Sequence, residues 1–473
     1  MKNILRNAVK HIQSVIIAAL VVSLISLCGM YAYTENSDSA SLPAFPDGHM
    51  HLLSKDASLT MKSGNSSFIS PSFVFLTDIS GESYGNFGGG ESSETVWTEF
   101  ERVLTLLHDC DIEKKSFSDK QTAFEYIDDL YYARSKYYCE FANPLPLSAI
   151  AVFFENTYND SIIYKESFFA KSMIMTGDAN GEVYLYVISE DGEVIVAKPK
   201  TALKFNYDPL ENEADTELEK VTPTVSESAR AKGITGLIPI FSGVKNIGTV
   251  YREDFLSKFN IKADSENVAA IVSAFGMNPN NTNRYTAHNG TVGFVEEAGE
   301  LKISLDGEIT FDSDGDGGIS MSKILGYLPS DIEKNTYGFT DTVGAVCSIL
   351  ESLGQTFLGG EASLVLESVA FDKESGLTSF GFGYCIGGLR IRSESDGEKD
   401  FDAYFSFSEN ALVKADVTGA VFVNTNTLYS DIPQTAALAA ANSTPKTLTR
   451  LYAMYVSYNE TEFIPEWMAE YAG

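Results

Sequence analysis

Apolar and polar positions in the first half of the chain follow a strand period and then a helical one. The run SFVFLTD is typical of a buried strand, and the Gly/Ser-rich stretch SGESYGNFGGGESSE after it predicts a loop. Asn-Gly at 180–181 and Asp-Gly at 191–192 separate alternating runs such as EVYLYVIS and EVIVAK, which predicts β-hairpins. Between loop and hairpins, apolar residues at helical spacing predict two helices: Trp97, Phe100, Val103, Leu104 and Leu107, then Phe124, Ile127 and Tyr131.

The second half of the chain shows one layout twice, a helix followed by strand-like runs. Asp264 or Ser265 can cap the first helix, and Asp341 or Thr342 can cap the second, which Gly354 closes. The runs TVGFVEE and ELKISLDGEITF follow the first helix, and LVLESVAF, TSFGFGYCI, FDAYFSFS and VTGAVFV follow the second. This pattern predicts an α+β fold in which antiparallel sheets are each backed by helices.

One uncharged run, IQSVIIAALVVSLISLCGMYAY at 12–33, is long enough to cross a bilayer as a helix of about 33 Å. Three basic residues precede it, so the positive-inside rule places the short amino terminus in the cytoplasm. A cleaved signal peptide would need a better cleavage site than Met-Tyr-Ala at 30–32, and a lipoprotein would need a small residue before Cys28. An uncleaved signal anchor fits best, and we expect a single-pass cell-membrane protein whose bulk is extracytoplasmic.

The chain also contains a candidate linker, because residues 206–232 are acidic, carry two prolines and show little apolar periodicity. With the anchor and the two helix-and-strand layouts, this segment divides the chain. We expect a cytoplasmic tail (1–11), a transmembrane anchor (12–33), a stalk (34–54), an N-terminal lobe (55–205), an acidic linker (206–232), a central lobe (233–328) and a C-terminal lobe (329–473).

Charge narrows the possible partners. The 473 residues include 34 Lys and Arg against 65 Asp and Glu, giving a formal net charge of −31. Nucleic-acid binding depends on clustered basic residues, so this composition excludes it for most of the surface. The excess lies beyond the anchor, where it favours solubility beside an anionic envelope.

Reactive motifs are absent from the sequence. None of the five histidines forms H-E-x-x-H, and neither G-x-S-x-G nor a Walker-type phosphate loop occurs. Ser320 and Lys323 match S-x-x-K without the motifs that accompany it in penicillin-binding enzymes. His49 and His51 alternate as two metal ligands might, but they lie in the stalk. We therefore expect no enzyme and no cofactor.

Four cysteines follow the anchor, and an oxidising exterior permits them to form disulfides. Pairing Cys110 with Cys139 and Cys347 with Cys385 would keep each bond within one lobe. Free buried thiols are an equally open alternative. No C-x-x-C occurs, so neither a redox dithiol nor a zinc knuckle is indicated.

One acidic turn resembles a metal loop. Asp312, Asp314 and Asp316 with Gly317 reproduce the first half of an EF-hand, in which carboxylates wrap Ca²⁺ around a glycine turn. Lys323 stands where the bidentate acid should be. The alternatives are a weak calcium site and an acidic turn without a metal.

Three segments resemble the YycH/YycI (WalH/WalI) family of Gram-positive regulators. The first is Ala274–Phe311, with the order helix end, Asn-Pro, Tyr, Asn-Gly-Thr, Phe-Val-Glu, Leu-x-Ile and Asp-Gly. The others are FGFGYCIGGLRI (Phe380–Ile391) and the closing LYAMYVSY with IPEW (Ile464–Trp467). The amino-terminal anchor is similar as well.

This resemblance implies a function without catalysis. It implies a membrane-anchored regulator of a sensor histidine kinase, in a two-component system that controls cell-wall metabolism. The expected partners are that kinase and a paralogous regulator, contacted through the transmembrane helix and the exterior lobes. The alternative class is a surface-anchored structural or adhesive protein, with calcium as an optional stabiliser of its fold.

Overall fold

The chain divides into two units, Met1–His51 and Leu52–Gly473. The predicted tail, anchor and stalk lie outside the described residues, among which no helix is long and apolar enough to span a membrane. The computed structural model describes residues 65–88, 91–156, 162–165, 167–207, 218–225, 237–241, 246–255, 259, 261–281, 283–314, 317–328, 337–354, 357–392, 400–430, 434–442, 447–459 and 461–472.

The first part of the second unit forms a nine-stranded antiparallel sheet. Its order is β3-β7-β6-β5-β4-β1-β2-β8-β9, with strands β1 Phe73–Thr77, β2 Ser83–Phe87, β3 Cys110–Lys114, β4 Lys136–Pro146, β5 Phe169–Gly177, β6 Val183–Ile188, β7 Val194–Pro199, β8 Glu219–Val225 and β9 Leu237–Phe241. The accompanying helices are α1 Glu91–Leu104, α2 Lys120–Tyr131, α3 Leu147–Phe153 and α4 Ile162–Lys165, with 3₁₀ turns at Asn65–Phe68 and Leu107–Asp109.

The predicted apolar faces of α1 and α2 pack on this sheet. Phe100 and Val103 of α1 and Ile127 of α2 are fully buried. Asp119 caps α2 by accepting a hydrogen bond from the Thr122 amide at 2.8 Å, and the two predicted hairpins join β5 to β6 and β6 to β7. The spacing of apolar residues was therefore sufficient to place these elements.

Two strands of this sheet lie where the sequence predicted none. β2 runs through the Gly/Ser-rich stretch, because Gly85 packs so closely on β1 that a Cβ would lie 2.6 Å from the Val74 carbonyl oxygen. β8 lies within the segment predicted as an acidic linker and pairs with both β2 and β9. Its buried Val221 contributes an inward apolar side chain beside strands that are already in place.

The remainder of the unit forms a fifteen-stranded, mostly antiparallel sheet among the described residues. The main path is β11-β12-β13-β14-β21-β20-β18-β19-β23-β24-β10-β22-β16, with β15 on β21 and β17 on β18. The strands are β10 Asn246–Arg252, β11 Arg284–Thr286, β12 Val292–Glu296, β13 Gly299–Ile303, β14 Glu308–Ser313, β15 Ile319–Ser320, β16 Gly359–Gly360, β17 Ser363–Asp372, β18 Leu377–Ile386, β19 Leu389–Arg392, β20 Ala403–Phe407, β21 Ala411–Thr418, β22 Val421–Ser430, β23 Thr447–Ser457 and β24 Glu462–Ala472. The helices are α5 Glu266–Ala274, α6 Met321–Leu325, α7 Phe339–Gly354 and α8 Gln434–Asn442.

Helices α5 and α7 lie where capping residues predicted them. Ser265 caps α5 and accepts from the Val268 amide at 3.3 Å. Helix α7 begins at Phe339, slightly earlier than expected, and Asp341 in its first turn accepts from the Gly338 amide at 2.8 Å. The mixed α+β class with antiparallel sheets is thus confirmed.

The second sheet crosses a predicted lobe boundary. β14 belongs to the expected central lobe and β21 to the expected C-terminal lobe, and the two strands pair directly. The run VTGAVFV, expected as one strand, is divided between β21 and β22. Gly419 turns the chain there, donating its amide to the Gly307 carbonyl at 2.8 Å, and a Cβ on Gly419 would lie 2.7 Å from the Phe255 ring.

Candidate functional site

A cavity of about 370 Å³ lies between the nine-stranded and the fifteen-stranded sheet, and we call it the inter-sheet cavity. On one side it is lined by residues of β1, β2, β4 and β9, and on the other by residues of β17, β19, β23 and β24. Its volume falls within the range of roughly 300–1,000 Å³ that is usual for small-molecule sites.

Irregular strands aim charged side chains into this cavity. The pairing of β4 with β5 shifts register directly after Glu140, β17 has a shift at Glu367, and β23 has a shift directly before Arg450. Such irregularities turn a side chain away from the direction that regular pleating would give it. Three charges on three separate strands thereby converge between the sheets.

The first ion cluster joins Glu140 to Lys171 and Arg450. Glu140 Oε1 lies 3.4 Å from Lys171 Nζ and 3.5 Å from Arg450 Nε, and Oε2 accepts a hydrogen bond of 3.0 Å from the Tyr138 hydroxyl. Glu140 is only 8% exposed, so both cations screen a carboxylate that has little access to water. Burial lowers the pKa of Lys171 to about 8, with a further contribution from Arg450, while Glu140 opposes the shift.

The same two cations also bind backbone carbonyls that the register shift of β4 leaves without regular ladder pairing. Lys171 Nζ donates to the carbonyls of Phe141 and Ala142, each at 3.0 Å. Arg450 Nη1 donates to the Ala142 carbonyl at 2.5 Å, and its guanidinium carbon lies 4.5 Å from the centre of the Tyr452 ring. This cluster therefore fastens the two sheets to each other.

A second ion cluster surrounds Arg390. Its Nη1 contacts Glu367 Oε2, and its Nη2 lies 3.3 Å from Asp402 Oδ2, which also accepts from the Tyr384 amide at 2.9 Å. Burial raises the pKa of Glu367 although Arg390 opposes the shift. Gly383 leaves room for this guanidinium, because a Cβ there would lie 1.4 Å from Arg390 Nη1 and would displace it.

Aromatic rings form the apolar walls. The Phe73 and Phe241 ring centres are 5.7 Å apart, and those of Phe87 and Trp467 are 6.1 Å apart. At one place the backbones themselves meet, since a Cβ on Gly388 would lie 1.4 Å from the Gly88 carbonyl oxygen. The cavity thus combines fixed charges with flat apolar surfaces.

The described lining of the cavity includes one thiol. Cys385 lines the cavity, but burial, reinforced by Glu367, raises the pKa of its thiol to about 12, so that it stays protonated near neutral pH. Among the described lining residues there is no histidine.

The acidic turn lies apart from this cavity. Asp312 is exposed in β14, paired in register with Glu300 and Lys414, and Asp314 follows it. Asp316 lies outside the described residues, and within the described part of the chain no group of three His, Cys, Asp or Glu side chains could hold a metal ion. Lys323 lies 3.5 Å from Glu296. The calcium site stays a prediction.

The cysteines and the described histidines have structural surroundings. Cys110, Cys139, Cys347 and Cys385 are all free thiols, which agrees with the second alternative. His108 Nδ1 lies 2.9 Å from Asn156 Oδ1, and the buried Asn156 amide binds the carbonyls of Leu104, Ala151 and Phe154. His288 is exposed, and His49 and His51 lie outside the described residues.

Comparison with known proteins gives one structural likeness. No family model and no curated protein matches the chain. The crystal structure of YycH from Bacillus subtilis is similar with a TM-score of 0.48 and 11% sequence identity, over 86% of this chain and 95% of that chain. The likeness is to YycH and does not extend to YycI.

Proposed function

We propose that this chain is a membrane-anchored, extracytoplasmic regulator of a sensor histidine kinase that acts through protein contacts. The kinase would belong to a two-component system that controls cell-wall metabolism, and a paralogous regulator would be the second partner. The anchor at 12–33 would place the two sheets outside the membrane and provide a helix that can pack against kinase helices.

The observation that carries this proposal is the resemblance of three sequence segments to that family. They contribute to one sheet: Ala274–Phe311 includes β11–β13, Phe380–Ile391 covers parts of β18 and β19, and Ile464–Trp467 lies in β24. The resemblance therefore concerns one connected framework rather than scattered loops.

The inter-sheet cavity supports the same proposal. Its two ion clusters are internally paired, and burial keeps its thiol protonated near neutral pH. A regulator shifts a partner's conformational equilibrium by contacting the partner's two states differently. It therefore needs a stable fold that presents a binding site.

Co-purification tests the proposal. The full-length chain, extracted from its native membrane in mild detergent, should capture a sensor histidine kinase that mass spectrometry identifies. A matched variant with residues 12–33 replaced by an unrelated transmembrane sequence should retain the membrane location but capture less kinase. If the native chain captures no kinase, the proposed function is wrong.

A further inference from the structure

Arginines converge on the inter-sheet cavity to an unusual degree. The sequence contains nine arginines, and three of them, Arg390, Arg392 and Arg450, line this cavity. Arginine presents a planar fork of donors that matches a carboxylate, and this geometry distinguishes it from lysine. Two of the three are held by the ion clusters, so Arg392 is the arginine of the lining that can bind a negatively charged group.

Carboxylates line the same cavity, and they exclude a simple anion as the ligand. Glu140, Glu367, Asp400 and Glu470 are all present in the lining. Cations of the two ion clusters neutralise three of these acids, so an anion bound beside Arg392 would still face the remaining acid, Asp400. A ligand that carries both signs can face each group with its opposite.

Two of the lining charges are available for such a ligand. Arg390 and Arg450 are held by the two ion clusters, whereas Arg392 and Asp400 form neither an ion pair nor a side-chain hydrogen bond within the part of the chain that the structure describes. Both residues are exposed and both line the cavity, so they stand where it opens to solvent.

Arg392 lies close enough to the aromatic wall for its charge to act on groups there. Its charge lowers the pKa values of Glu367 and Tyr452, both of which line the cavity, although burial raises each of them more. The apolar part of a ligand would lie against Tyr452, Phe241 and Trp467, since flat rings favour apolar and aromatic groups.

We propose that the inter-sheet cavity binds a zwitterionic ligand with an apolar body, namely a short peptide with free termini. Arg392 binds the carboxylate, Asp400 binds the ammonium group, and the aromatic wall contacts the apolar side chains. Peptide binding is measured without any partner protein, so its failure and the failure of the proposed kinase contact are distinguishable.

The probe is the smallest-size fraction of a peptic digest of casein, incubated with the full-length chain in detergent and separated by equilibrium dialysis. Mass spectrometry should show enrichment of apolar peptides that lack charged side chains. The same fraction with acetylated amino termini and amidated carboxyl termini should show no enrichment. Absence of enrichment, or equal enrichment of the blocked peptides, would overturn the proposal.

Matched variants test which residue binds each end of the peptide. Arg392→Gln should lower the enrichment of unblocked peptides about tenfold, which corresponds to about 1.4 kcal/mol. Asp400→Asn should lower it for peptides with a free amino terminus and leave amino-acetylated peptides unaffected. Arg284→Gln changes an exposed arginine of β11 away from the cavity and should match the native chain. If Arg392→Gln leaves the enrichment unchanged and the variant has a native circular dichroism spectrum, the assignment of Arg392 to the peptide carboxylate is wrong.

Discussion

Two buried lysines lie at opposite ends of strand β4, and their surroundings differ. Lys171 of β5 lies beside the end of β4 that lines the cavity, near the carboxylate of Glu140, and it binds two backbone carbonyls. Lys136, at its other end, is 1% exposed, and among the described residues its Nζ donates to Thr77 Oγ1 at 2.8 Å and to the Ala133 carbonyl at 2.7 Å. Burial alone lowers the pKa of Lys136 to about 7.

The difference shows at which end of β4 charged side chains stabilise the fold. At the cavity, the cations are balanced and fasten two sheets together. At the far end, an ammonium group has no carboxylate within the described structure, only hydroxyl and carbonyl oxygens and the Phe75 ring at 5.5 Å. Removing a charge should therefore lower the free energy of unfolding at the cavity and raise it at the far end of β4.

The largest effect is expected from removing the shared carboxylate. Glu140→Ala removes the carboxylate that Lys171 and Arg450 share and leaves both cations buried. The substitution should lower the free energy of unfolding by about 3–5 kcal/mol. Urea denaturation measures the change. Glu374→Ala, in the exposed turn between β17 and β18, is the control and should stay within about 0.5 kcal/mol of the native chain. A loss below about 1 kcal/mol would show that the cluster does not fasten the sheets.

The opposite sign is expected at the other end of β4. Lys136→Met should raise the free energy of unfolding by about 2 kcal/mol at pH 7, because a buried amine is replaced by an apolar side chain. The folded chain binds fewer protons at Lys136 than the unfolded chain between pH 7 and the usual lysine pKa near 10.5, so native stability rises with pH across that interval.

The gain from Lys136→Met should therefore be largest at and below pH 7 and should shrink toward pH 10. Denaturation curves of both chains at several pH values test this dependence. Lys120→Met changes an exposed lysine at the start of α2 and serves as the control. A gain that is independent of pH would show that packing, rather than the buried amine, is responsible.

An uncharged group in the cavity wall gives an intermediate case. Gln434 is 4% exposed, donates to the Pro239 carbonyl at 2.7 Å and accepts from the Phe241 amide at 2.8 Å, so it covers the edge of β9 as a peptide group would. Gln434→Ala should cost about 1–2 kcal/mol. Hydrogen exchange at the Phe241 amide should accelerate, whereas Gln121→Ala, on the exposed face of α2, should leave that amide protected.

The smallest effect concerns exposed acids. If Asp312 and Asp314 contribute to a weak calcium site, Ca²⁺ at a concentration equal to Kd should stabilise the chain by about 0.4 kcal/mol and raise Tm slightly. Asp314→Ala should abolish that rise, and Mg²⁺ at equal ionic strength is the control. No calcium-specific rise in the native chain would remove the site.

The sequence was sufficient for elements whose own side chains form a buried face. Phe100 and Val103 in α1 and Ser265 before α5 are such cases, since local spacing and capping determine the element. β2 and β8 could not be predicted in this way. Gly85 and Val221 are favourable in strands only because neighbours distant in sequence approach them.

The inter-sheet cavity was missed for a similar reason. Glu140, Glu367 and Arg450 are far apart in the sequence, and each faces inward through a register shift that no local pattern reveals. Two signals were nonetheless present. A lone glutamate interrupts the apolar run YYCEF, and the arginines of LRIR alternate with buried Leu389 and Ile391.

The meeting of Gly88 and Gly388 has a consequence for how the cavity can recognise a ligand. Main chain touches main chain there, so the spacing of the two sheets at that point does not depend on side-chain rotamers. A ligand between the walls would meet a separation that backbone atoms fix at that point, so its thickness would decide whether it fits. Any side chain introduced at position 388 would push the two sheets apart and change that separation.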